Sequence, residues 1–475
     1  MTPDDSLAVL SAAETARRVR AGEVSPVEVL EACLARVERF NPELNAVVTL
    51  NPRAHEEAQA LEARVARGED PGPLAGVTVG IKDVTEVAGV RTTYGSPLFA
   101  DHMPEHDAQV VERLRAAGAI IVGKTNTPEF AAGGNTFNPV FGRTRNPWNP
   151  ERSAGGSTGG GAVGLATGMF ALAQGTDLGG SLRIPASFCG VVGLRPSVGL
   201  VPTWPQDFMW DTMQVTGVMG RGAEDVALGL QAIAGASDRA PLAQPVEGRD
   251  FAAAVRGADA RGVRIAYCRD IAGIGIDAGV ERVCREGALS LREAGAAVDE
   301  IELDLSYGRD AFLALRGLWF VSQLHPHLDK LEHFGPNVAN NVRAGLATSV
   351  EALGAAEGAR RRIWEQFRSF FREYDLLLTP TMAVPPFSIE ENFPRTVGGR
   401  EMATYVDWIA PTFVLSLTGL PVASVPAGLD DEGMPVGLQI VAPPRGEERA
   451  LAAASVVQRL RPVGMPPRFL TPEPR

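Results

Sequence analysis

Lysine is almost missing from this chain of 475 residues. Among 45 basic residues only Lys82, Lys124 and Lys330 are lysines, and all the others are arginines. Codon bias in a GC-rich genome accounts for most of this preference. An amine that must lose its proton, however, cannot be replaced by a guanidinium, which stays charged. The three lysines are therefore the first positions to consider for a catalytic base.

Cysteine is scarce as well, and long apolar runs are lacking. Cys33, Cys189, Cys268 and Cys284 lie far apart without CxxC spacing, which argues against a zinc knuckle or a disulfide framework. No apolar run approaches the roughly 20 residues that cross a bilayer. The acidic start, MTPDDSLAVL, does not resemble a secretory signal. These features predict a soluble, cytoplasmic protein with no membrane partner.

A basic surface stripe is the third missing feature. The net charge is −12 and the pI is about 5.2, which argues against a nucleic-acid partner. With 45% hydrophobic and 21% charged residues, the composition is that of an ordinary globular protein. A chain this long buries a large core without disulfides or metals.

Helical patterns alternate with short apolar, β-branched runs. The runs predict strands within 76–84, 119–123, 263–267, 375–380, 422–426 and 437–442. The predicted helices are 11–22, 25–40, 52–68, 107–117, 157–169, 277–294, 349–373 and 446–460. This alternation indicates an α/β protein with a mixed or parallel sheet. We predict an N-terminal helical segment, 1–70, packed on a core domain, 71–475, as one structural unit. The polar stretch 236–262 is the weakest link between the two halves.

Glycine is concentrated in residues 153–190, SAGGSTGGGAVGLATGMFALAQGTDLGGSLRIPASFCG. Gly159, Gly161 and Gly164 fit GxGxxG, the motif of dinucleotide-binding proteins. Gly155, Ser157 and Gly159 fit GxSxG, the nucleophile elbow of serine esterases. Both motifs require a strand directly before them. Here a proline-rich polar loop, 144–155, precedes them instead, which disfavours both interpretations.

The segment as a whole resembles the amidase signature family, through GGSTGG and GTDLGGSLRIPA. Ser157 lies 24 residues before Ser181, and Lys82 lies 75 residues before Ser157, as in that family. Further similar stretches are GVTVGIKDV, TNTPEFAAGGNTFN, NPWNP, LTGLPVASVPAG and PVGLQIVA, so the resemblance covers about residues 10 to 460. Thr158 departs from the family, many of whose members have a second serine there.

The resemblance implies one large domain with a central mixed β-sheet covered by helices on both faces. It also implies a triad of Lys82 as base, Ser157 after a cis peptide bond at Gly156–Ser157, and Ser181 as nucleophile. The backbone N–H groups of Leu178, Gly179, Gly180 and Ser181 would form the oxyanion hole. No metal or organic cofactor is implied.

The residue types suit amide cleavage. Lysine is a base only when neutral, and burial at the end of an apolar strand lowers the pKa of such an amine. Asp83 is expected to point away from Lys82, because neighbours in a strand face opposite sides. Arg183 and Asp177 are expected to form a structural ion pair. Cys189 and Lys124 are expected to be structural as well.

The substrate pocket is harder to predict. The loop 201–214, VPTWPQDFMWDTMQ, is rich in large apolar residues and forms either a local core or the wall of a pocket. The candidate pocket residues are Gly133, Gly134, Trp204, Phe208, Met209, Trp210, Trp319, Phe320, Tyr405 and Trp408. If they line the site, the substrate is a small apolar or aryl amide, anilide or carbamate (urethane).

Two other functions stay open at this point. One is the glutaminase subunit of a tRNA-dependent amidotransferase, which would work only with a partner. The other is a serine esterase with Ser157 as nucleophile and a histidine further along the chain. A metal site built from His325, His327, Asp329 and His333 is disfavoured, because such a segment is more often surface or pocket wall. A homodimer is compatible with the sequence.

Overall fold

Eleven of the strands form one continuous mixed sheet. The computed structural model describes residues 4–470, and its sheet has the order β1-β3-β2-β6-β8-β7-β14-β15-β11-β9-β10. The remaining four strands form two small hairpins, β4 with β5 and β12 with β13. The strands are β1 Val47–Leu50, β2 Thr78–Lys82, β3 Ile120–Thr125, β4 Phe137–Asn138, β5 Gly142–Arg143, β6 Leu172–Asp177, β7 Val192–Arg195, β8 Val215–Gly220, β9 Arg264–Cys268, β10 Ala297–Ile301, β11 Leu376–Pro380, β12 Thr396–Val397, β13 Arg400–Glu401, β14 Val422–Leu429 and β15 Pro435–Val441.

Three neighbouring parallel strands, β3, β2 and β6, have their carboxyl ends on the same side of the sheet. β2 pairs in parallel with β3 on one side and with β6 on the other. The carboxyl ends of parallel strands meet at the same edge, where α/β proteins usually bind ligands. β9 is parallel to both β10 and β11, whereas the strands between β6 and β11 pair antiparallel.

Helices cover both faces of this sheet. Alternate residues of a strand therefore face different cores. In β3, Ile121 belongs to one core and its neighbours Ile120 and Val122 to another. In β11, Leu377 likewise faces the side opposite to Leu376 and Leu378. The helices are α1 Asp5–Ala8, α2 Ala12–Arg20, α3 Pro26–Leu44, α4 Ala54–Ala66, α5 Gln109–Ala116, α6 Gly159–Ala166, α7 Arg183–Cys189, α8 Ala223–Ile233, α9 Phe251–Arg256, α10 Ala278–Ser290, α11 Arg309–Gln323, α12 Pro336–Ala347, α13 Val350–Glu373, α14 Ala410–Ser416 and α15 Glu447–Leu460.

The predicted strands and helices are all present, with shifted ends. α3 continues beyond residue 40 to Leu44, where Asn45 adopts the left-handed conformation that ends helices. α6 ends at Ala166, because Thr167 and Gly168 leave the helical conformation. In the main sheet, sequence patterns missed β1, β6, β7, β8 and β10. β6 and β8 are buried on both faces, so they show no alternation.

The N-terminal segment is not only helical. Its residues 47–50 form β1, which pairs with β3 at the edge of the sheet. Arg36 of α3 is buried and donates hydrogen bonds to the carbonyl oxygens of Thr167 and Phe469. The polar stretch 236–262 contains α9, whose Phe251 is fully buried. Among residues 4–470, no helix is long and apolar enough to cross a membrane.

Candidate active site

Lys82 ends β2 and is completely buried between the neighbouring strands. Its Nζ donates hydrogen bonds to Ser157 Oγ at 2.6 Å and to Thr176 Oγ1 at 3.0 Å. Thr176 lies on the adjacent strand β6, so the parallel pairing brings its hydroxyl to the same edge. Two hydroxyls from distant parts of the sequence therefore meet at the Lys82 amine.

Burial lowers the pKa of the Lys82 amine to about 7, and the negative charge of Asp177 only partly opposes this. Asp83 does not face this amine. Its carboxylate lies 3.5 Å from Lys124 Nζ and accepts a hydrogen bond from the Thr93 hydroxyl. Among residues 4–470 no carboxylate pairs directly with Lys82. The charged form therefore lacks the support of an ion pair, and this amine can work as a base near neutral pH.

Ser157 lies in a turn that leads into α6, and its side chain is fully buried. The Gly156–Ser157 peptide bond is cis, as the family resemblance implies. Glycine is required here because a Cβ on Gly156 would lie 2.9 Å from the Gly133 carbonyl oxygen. A loop precedes the turn, so the strand that the GxGxxG and GxSxG motifs need is absent at residues 144–158.

Ser181 follows β6 in a loop that Asp177 holds in place. The Asp177 carboxylate accepts hydrogen bonds from the N–H groups of Gly180 at 2.9 Å and Leu182 at 3.2 Å. It also pairs with Arg183 at 3.0 Å and with Arg195 at 3.2 Å, so the expected ion pair is present and is shared with a second arginine.

Asp177, Arg183 and Arg195 together form a clamp on this loop, and the two guanidinium groups keep the Asp177 carboxylate charged. Burial would raise the pKa of the Asp177 carboxyl, but Arg183 and Arg195 hold it below its usual range. Ser181 itself is partly exposed, whereas Lys82 and Ser157 are not. The Thr158 N–H donates to the Ser181 carbonyl at 3.2 Å, which joins the two serine-bearing turns. Of the three side chains, only Ser181 is therefore partly open to solvent.

The backbone N–H groups beside Ser181 fall into two kinds. The Gly180 N–H already donates to Asp177. Within residues 4–470, the N–H groups of Leu178, Gly179 and Ser181 have no acceptor. Three of the four N–H groups expected from the resemblance are therefore free to receive a developing negative charge.

A cavity of about 360 Å³ opens beside Thr176, the hydrogen-bond partner of Lys82. Of the expected pocket residues, Trp204, Trp319 and Phe320 line it. Trp319 is held by a 2.6 Å hydrogen bond from its indole Nε1 to Asp211 Oδ2. Loop 201–214 contributes to the apolar wall of this cavity, as its composition suggested, but fewer of its large apolar residues do so than expected.

The structure places the other expected pocket residues elsewhere. Met209 and Trp210 lie on the surface, with Trp210 67% exposed, and Phe208 packs on a core beside the cavity without lining it. Trp408 is fully buried between Phe188 and Phe387, and Tyr405 is bonded to Arg316. Gly133 and Gly134 pack against the Gly156 backbone and Trp408, next to Ser157. Large aromatic side chains in loops fit core and pocket equally well, which is why composition did not separate them.

Sequence reasoning missed several residues of the cavity wall. Tyr94, Phe130 and Ala131 have positive φ angles of 54°, 45° and 59°, in the left-handed region that non-glycine residues rarely adopt. All three line the cavity, together with Glu86 and Phe99. Phe130 and Ala131 lie in the stretch around Gly133 that resembles the family, whereas Glu86, Tyr94 and Phe99 lie outside the similar stretches and carry no such signal.

Cys189 and Lys124 have structural roles, and the histidine segment contributes one residue to the cavity wall. Cys189 is buried in α7, where its Sγ donates to the Ala154 carbonyl. Lys124 pairs with Asp83 and donates to the Thr85 carbonyl, so it fastens the turn after β2. His327 lines the cavity from the 3-10 helix His325–His333. Among residues 4–470 no group of three His, Cys, Asp or Glu side chains is placed to hold a metal ion.

Comparison with known proteins decides the family. A family model described as Amidase matches residues 28–451. The chain belongs to the amidase family. Its site is accordingly that of a hydrolase acting on carbon–nitrogen bonds.

Relatives of this amidase carry two kinds of name. It is 35% identical to a glutamyl-tRNA(Gln) amidotransferase subunit of Carboxydothermus hydrogenoformans, covering 95% of this chain and 97% of the relative. It is 34% identical to an acylamidase of Rhodococcus erythropolis, covering 97% of both chains. The solved structure of a bacterial aryl acylamidase of the amidase signature family matches with a TM-score of 0.87 and 30% identity, over 95% of this chain and 96% of the other.

Proposed function

We propose that this amidase hydrolyses small apolar or aryl amides, anilides or carbamates through an acyl-enzyme on Ser181. One observation carries the proposal: a fully buried lysine amine, Lys82, donates to Ser157 Oγ at 2.6 Å beside an aromatic cavity. A buried amine next to a buried hydroxyl suits proton transfer, and the partly exposed Ser181 next to that turn suits attack on a carbonyl.

The proposed reaction moves one proton through Ser157. Neutral Lys82 accepts the Ser157 proton while Ser157 accepts that of Ser181, whose Oγ attacks the carbonyl carbon. The free N–H groups of Leu178, Gly179 and Ser181 stabilise the resulting oxyanion. The proton then returns through Ser157 to the departing nitrogen, the amine leaves, and water hydrolyses the ester by the same route. A carbamate follows this path, and its acid half then loses carbon dioxide.

The cavity supports an apolar or aryl substrate. Its wall carries the rings of Phe99, Phe130, Trp204, Trp319 and Phe320, and rings of this kind bind flat apolar groups by contact area and offset stacking. The aryl acylamidase and acylamidase relatives agree with this substrate class.

A second candidate is the glutaminase subunit of a tRNA-dependent amidotransferase. The amidotransferase relatives, which match this chain with about the same identity as the acylamidase, favour it. The cavity wall speaks against it, because its described residues include no arginine or lysine that could pair with the α-carboxylate of glutamine.

The esterase alternative, with Ser157 as nucleophile, fits the site less well. Ser157 is fully buried, and its hydroxyl contacts a lysine rather than a histidine. Covalent labelling with a fluorophosphonate separates the two assignments. We expect Ser181→Ala to abolish labelling, whereas the esterase assignment requires that Ser181→Ala still be labelled.

Amine release from a substrate panel tests the proposal. The purified chain would be given para-nitroanilides, aliphatic amides, aryl carbamates and glutamine, with Ser181→Ala as the blank. We expect turnover of anilides or carbamates and none by the variant. Turnover of glutamine alone, or only in the presence of a second protein, would replace the proposal with the glutaminase function. A cytoplasmic location and a homodimer stay predictions from the sequence.

A further inference from the structure

A carboxylate stands among aromatic rings on the wall of the cavity. Glu86 is partly buried there, and its Oε1 accepts a 2.7 Å hydrogen bond from the Tyr94 hydroxyl. Its second oxygen, Oε2, accepts no hydrogen bond from any residue between 4 and 470. The His102 imidazole lies 3.6 Å from Oε1. Glu86 therefore has acceptor capacity left for a ligand in the cavity.

Tyr94 is built to orient this carboxylate. Its backbone adopts φ 54°, and its N–H donates to the Asp83 carbonyl, one residue after Lys82. Its ring stacks on Phe130 at 5.7 Å and meets Phe99 edge-on at 5.2 Å. Burial, and after it the charge and hydrogen bond of Glu86, raise the pKa of the Tyr94 phenol, so the phenol stays a donor to Glu86. A rare backbone conformation held by packing on both sides is typical of functional sites.

The charges on the cavity wall have one sign. Apart from the histidines, the described wall residues that carry a formal charge are Glu86 and Asp207. The aromatic faces nearby add to the negative potential, because aromatic rings attract cations over their faces. A carboxylate with such rings around it is the chemistry that recognises an ammonium group.

The distance from the reacting centre suits one substrate molecule. Glu86 lies four residues after Lys82 in the chain, which limits the separation of their Cα atoms to about 14 Å. The turn between them, closed by the Thr85 N–H on the Lys82 carbonyl, shortens it further. Thr176, whose hydroxyl accepts a hydrogen bond from Lys82, lines the same cavity as Glu86. A substrate whose amide lies near Lys82 can therefore place a second group near Glu86.

We propose that Glu86 is a specificity residue that binds a positively charged amine of the substrate, held in position by Tyr94. The preferred substrates are then amides that carry an ammonium group in addition to the bond that is cleaved. This inference rests on the proposed amidohydrolase function and narrows its substrate class.

Matched substrate pairs test the inference. One pair is aminopentanoyl and hexanoyl para-nitroanilide, which differ by an ammonium in place of a methyl group on the acyl side. The other is the acetanilide with a para-aminomethyl or a para-ethyl group, which differ in the same way on the amine side. We expect the ammonium member of at least one pair to have a kcat/KM about tenfold higher, as for a charge-assisted hydrogen bond. Equal values in both pairs, or a preference for the neutral members, would overturn the inference.

Variants assign the preference to its residues. We expect Glu86→Gln, which keeps the shape of the side chain, to lower the ratio of the two kcat/KM values to near one. Tyr94→Phe should lower it partly, because it frees the carboxylate from its orienting donor. The control Glu105→Gln removes an exposed carboxylate on a neighbouring loop outside the cavity and should keep the ratio. A Glu86→Gln variant with the same ratio as the wild type would show that another group selects the charge.

A binding measurement separates this inference from the proposed function. Calorimetry with benzylammonium and benzyl alcohol reports the ammonium site without any turnover. Tighter binding of benzylammonium, weakened by raising the salt concentration and lost in Glu86→Gln, supports the site even if no amide is cleaved. Turnover of neutral anilides that depends on Ser181, together with equal binding of the two probes, would confirm the hydrolase and refute the site.

Discussion

At the scale of single residues, Lys82 makes this site sensitive to pH. Its amine accepts a proton only when neutral, and burial lowers its pKa to about 7. We therefore expect kcat/KM to rise about tenfold per pH unit below that value and to level off above it. A pH–rate profile on a neutral anilide measures this. An acid optimum near pH 5 would contradict Lys82 as the base.

Arginine at this position gives the matched control. Its guanidinium does not lose its proton in a protein, so Lys82→Arg should be inactive at every pH between about 5 and 10. A Lys82→Arg variant that regains activity at alkaline pH would mean that another group is the base.

Thr176 is one of the residues of the site that sequence reasoning did not single out. Its hydroxyl lies 3.0 Å from Lys82 Nζ, so in the proposed reaction it would act through that amine. We expect Thr176→Val to lower kcat/KM about fivefold, the effect of losing roughly 1 kcal/mol of hydrogen bonding, and to move the midpoint of the pH–rate profile. Thr348→Val, outside the cavity, is the control. Lower activity with an unmoved midpoint would point to a packing role instead.

At the scale of elements, the Asp177 clamp connects the end of β6 to α7 and β7. It pairs with Arg183 and Arg195, and all three side chains are fully buried. Replacing the carboxylate leaves two buried cations without their shared counter-ion, so Asp177→Asn should lower the free energy of unfolding by about 3–5 kcal/mol. Urea denaturation measures this.

A surface pair provides the comparison for the clamp. Glu300 pairs with Arg285 at 2.6 Å, and both side chains are close to half exposed. Glu300→Gln should leave the denaturation midpoint unchanged, because exposed ion pairs contribute little. Equal effects of the two substitutions would mean that the clamp is not what holds the loop that carries Ser181.

The first turn of α6 requires glycine because other backbone approaches it closely. A Cβ on Gly160 would lie 2.4 Å from the Asn126 N and 2.5 Å from the Ala46 carbonyl oxygen. We expect Gly160→Ala to destabilise the protein by about 1–3 kcal/mol, although alanine is the better helix former.

For a second helical glycine, Gly354, we expect substitution by alanine to have the opposite effect on stability. Gly354 in α13 has nothing within 4 Å of the position of its Cβ. Gly354→Ala should therefore raise the free energy of unfolding by about 1 kcal/mol. Thermal melting of both variants measures the difference. Destabilisation by both substitutions would remove close packing as the explanation for Gly160.

At the scale of the whole molecule, one sheet joins both halves of the chain. β1 of the N-terminal segment pairs with β3, and β7 joins the sheet to β14 near the C-terminus. We expect a single calorimetric unfolding transition that includes residues 1–70, because the two parts share a sheet and a core. Arg36→Met, which removes the bonds to Thr167 and Phe469, should lower the temperature of that transition without splitting it. Two separate transitions would show that the segment is an independent unit.

The sequence by itself determined the chemistry and the class of fold. Lys82, Ser157 and Ser181 stand in long local motifs, and local motifs are readable without a structure. The strand around Lys82 and most of the helices follow from hydrophobic periodicity in the same way. The pairing of Asp177 with Arg183 was also accessible, because the two residues flank one short loop.

Only the tertiary structure decided which groups surround that chemistry. Thr176, Glu86 and Tyr94 meet the site through strand pairing and a turn, and no local pattern encodes such contacts. Trp408 and Trp319 have the same side chain, yet Trp408 is stacked in the core and Trp319 lines the cavity. The reason is physical: local sequence sets the period and the ends of an element, whereas packing against distant residues sets which side chain is buried and which faces a substrate.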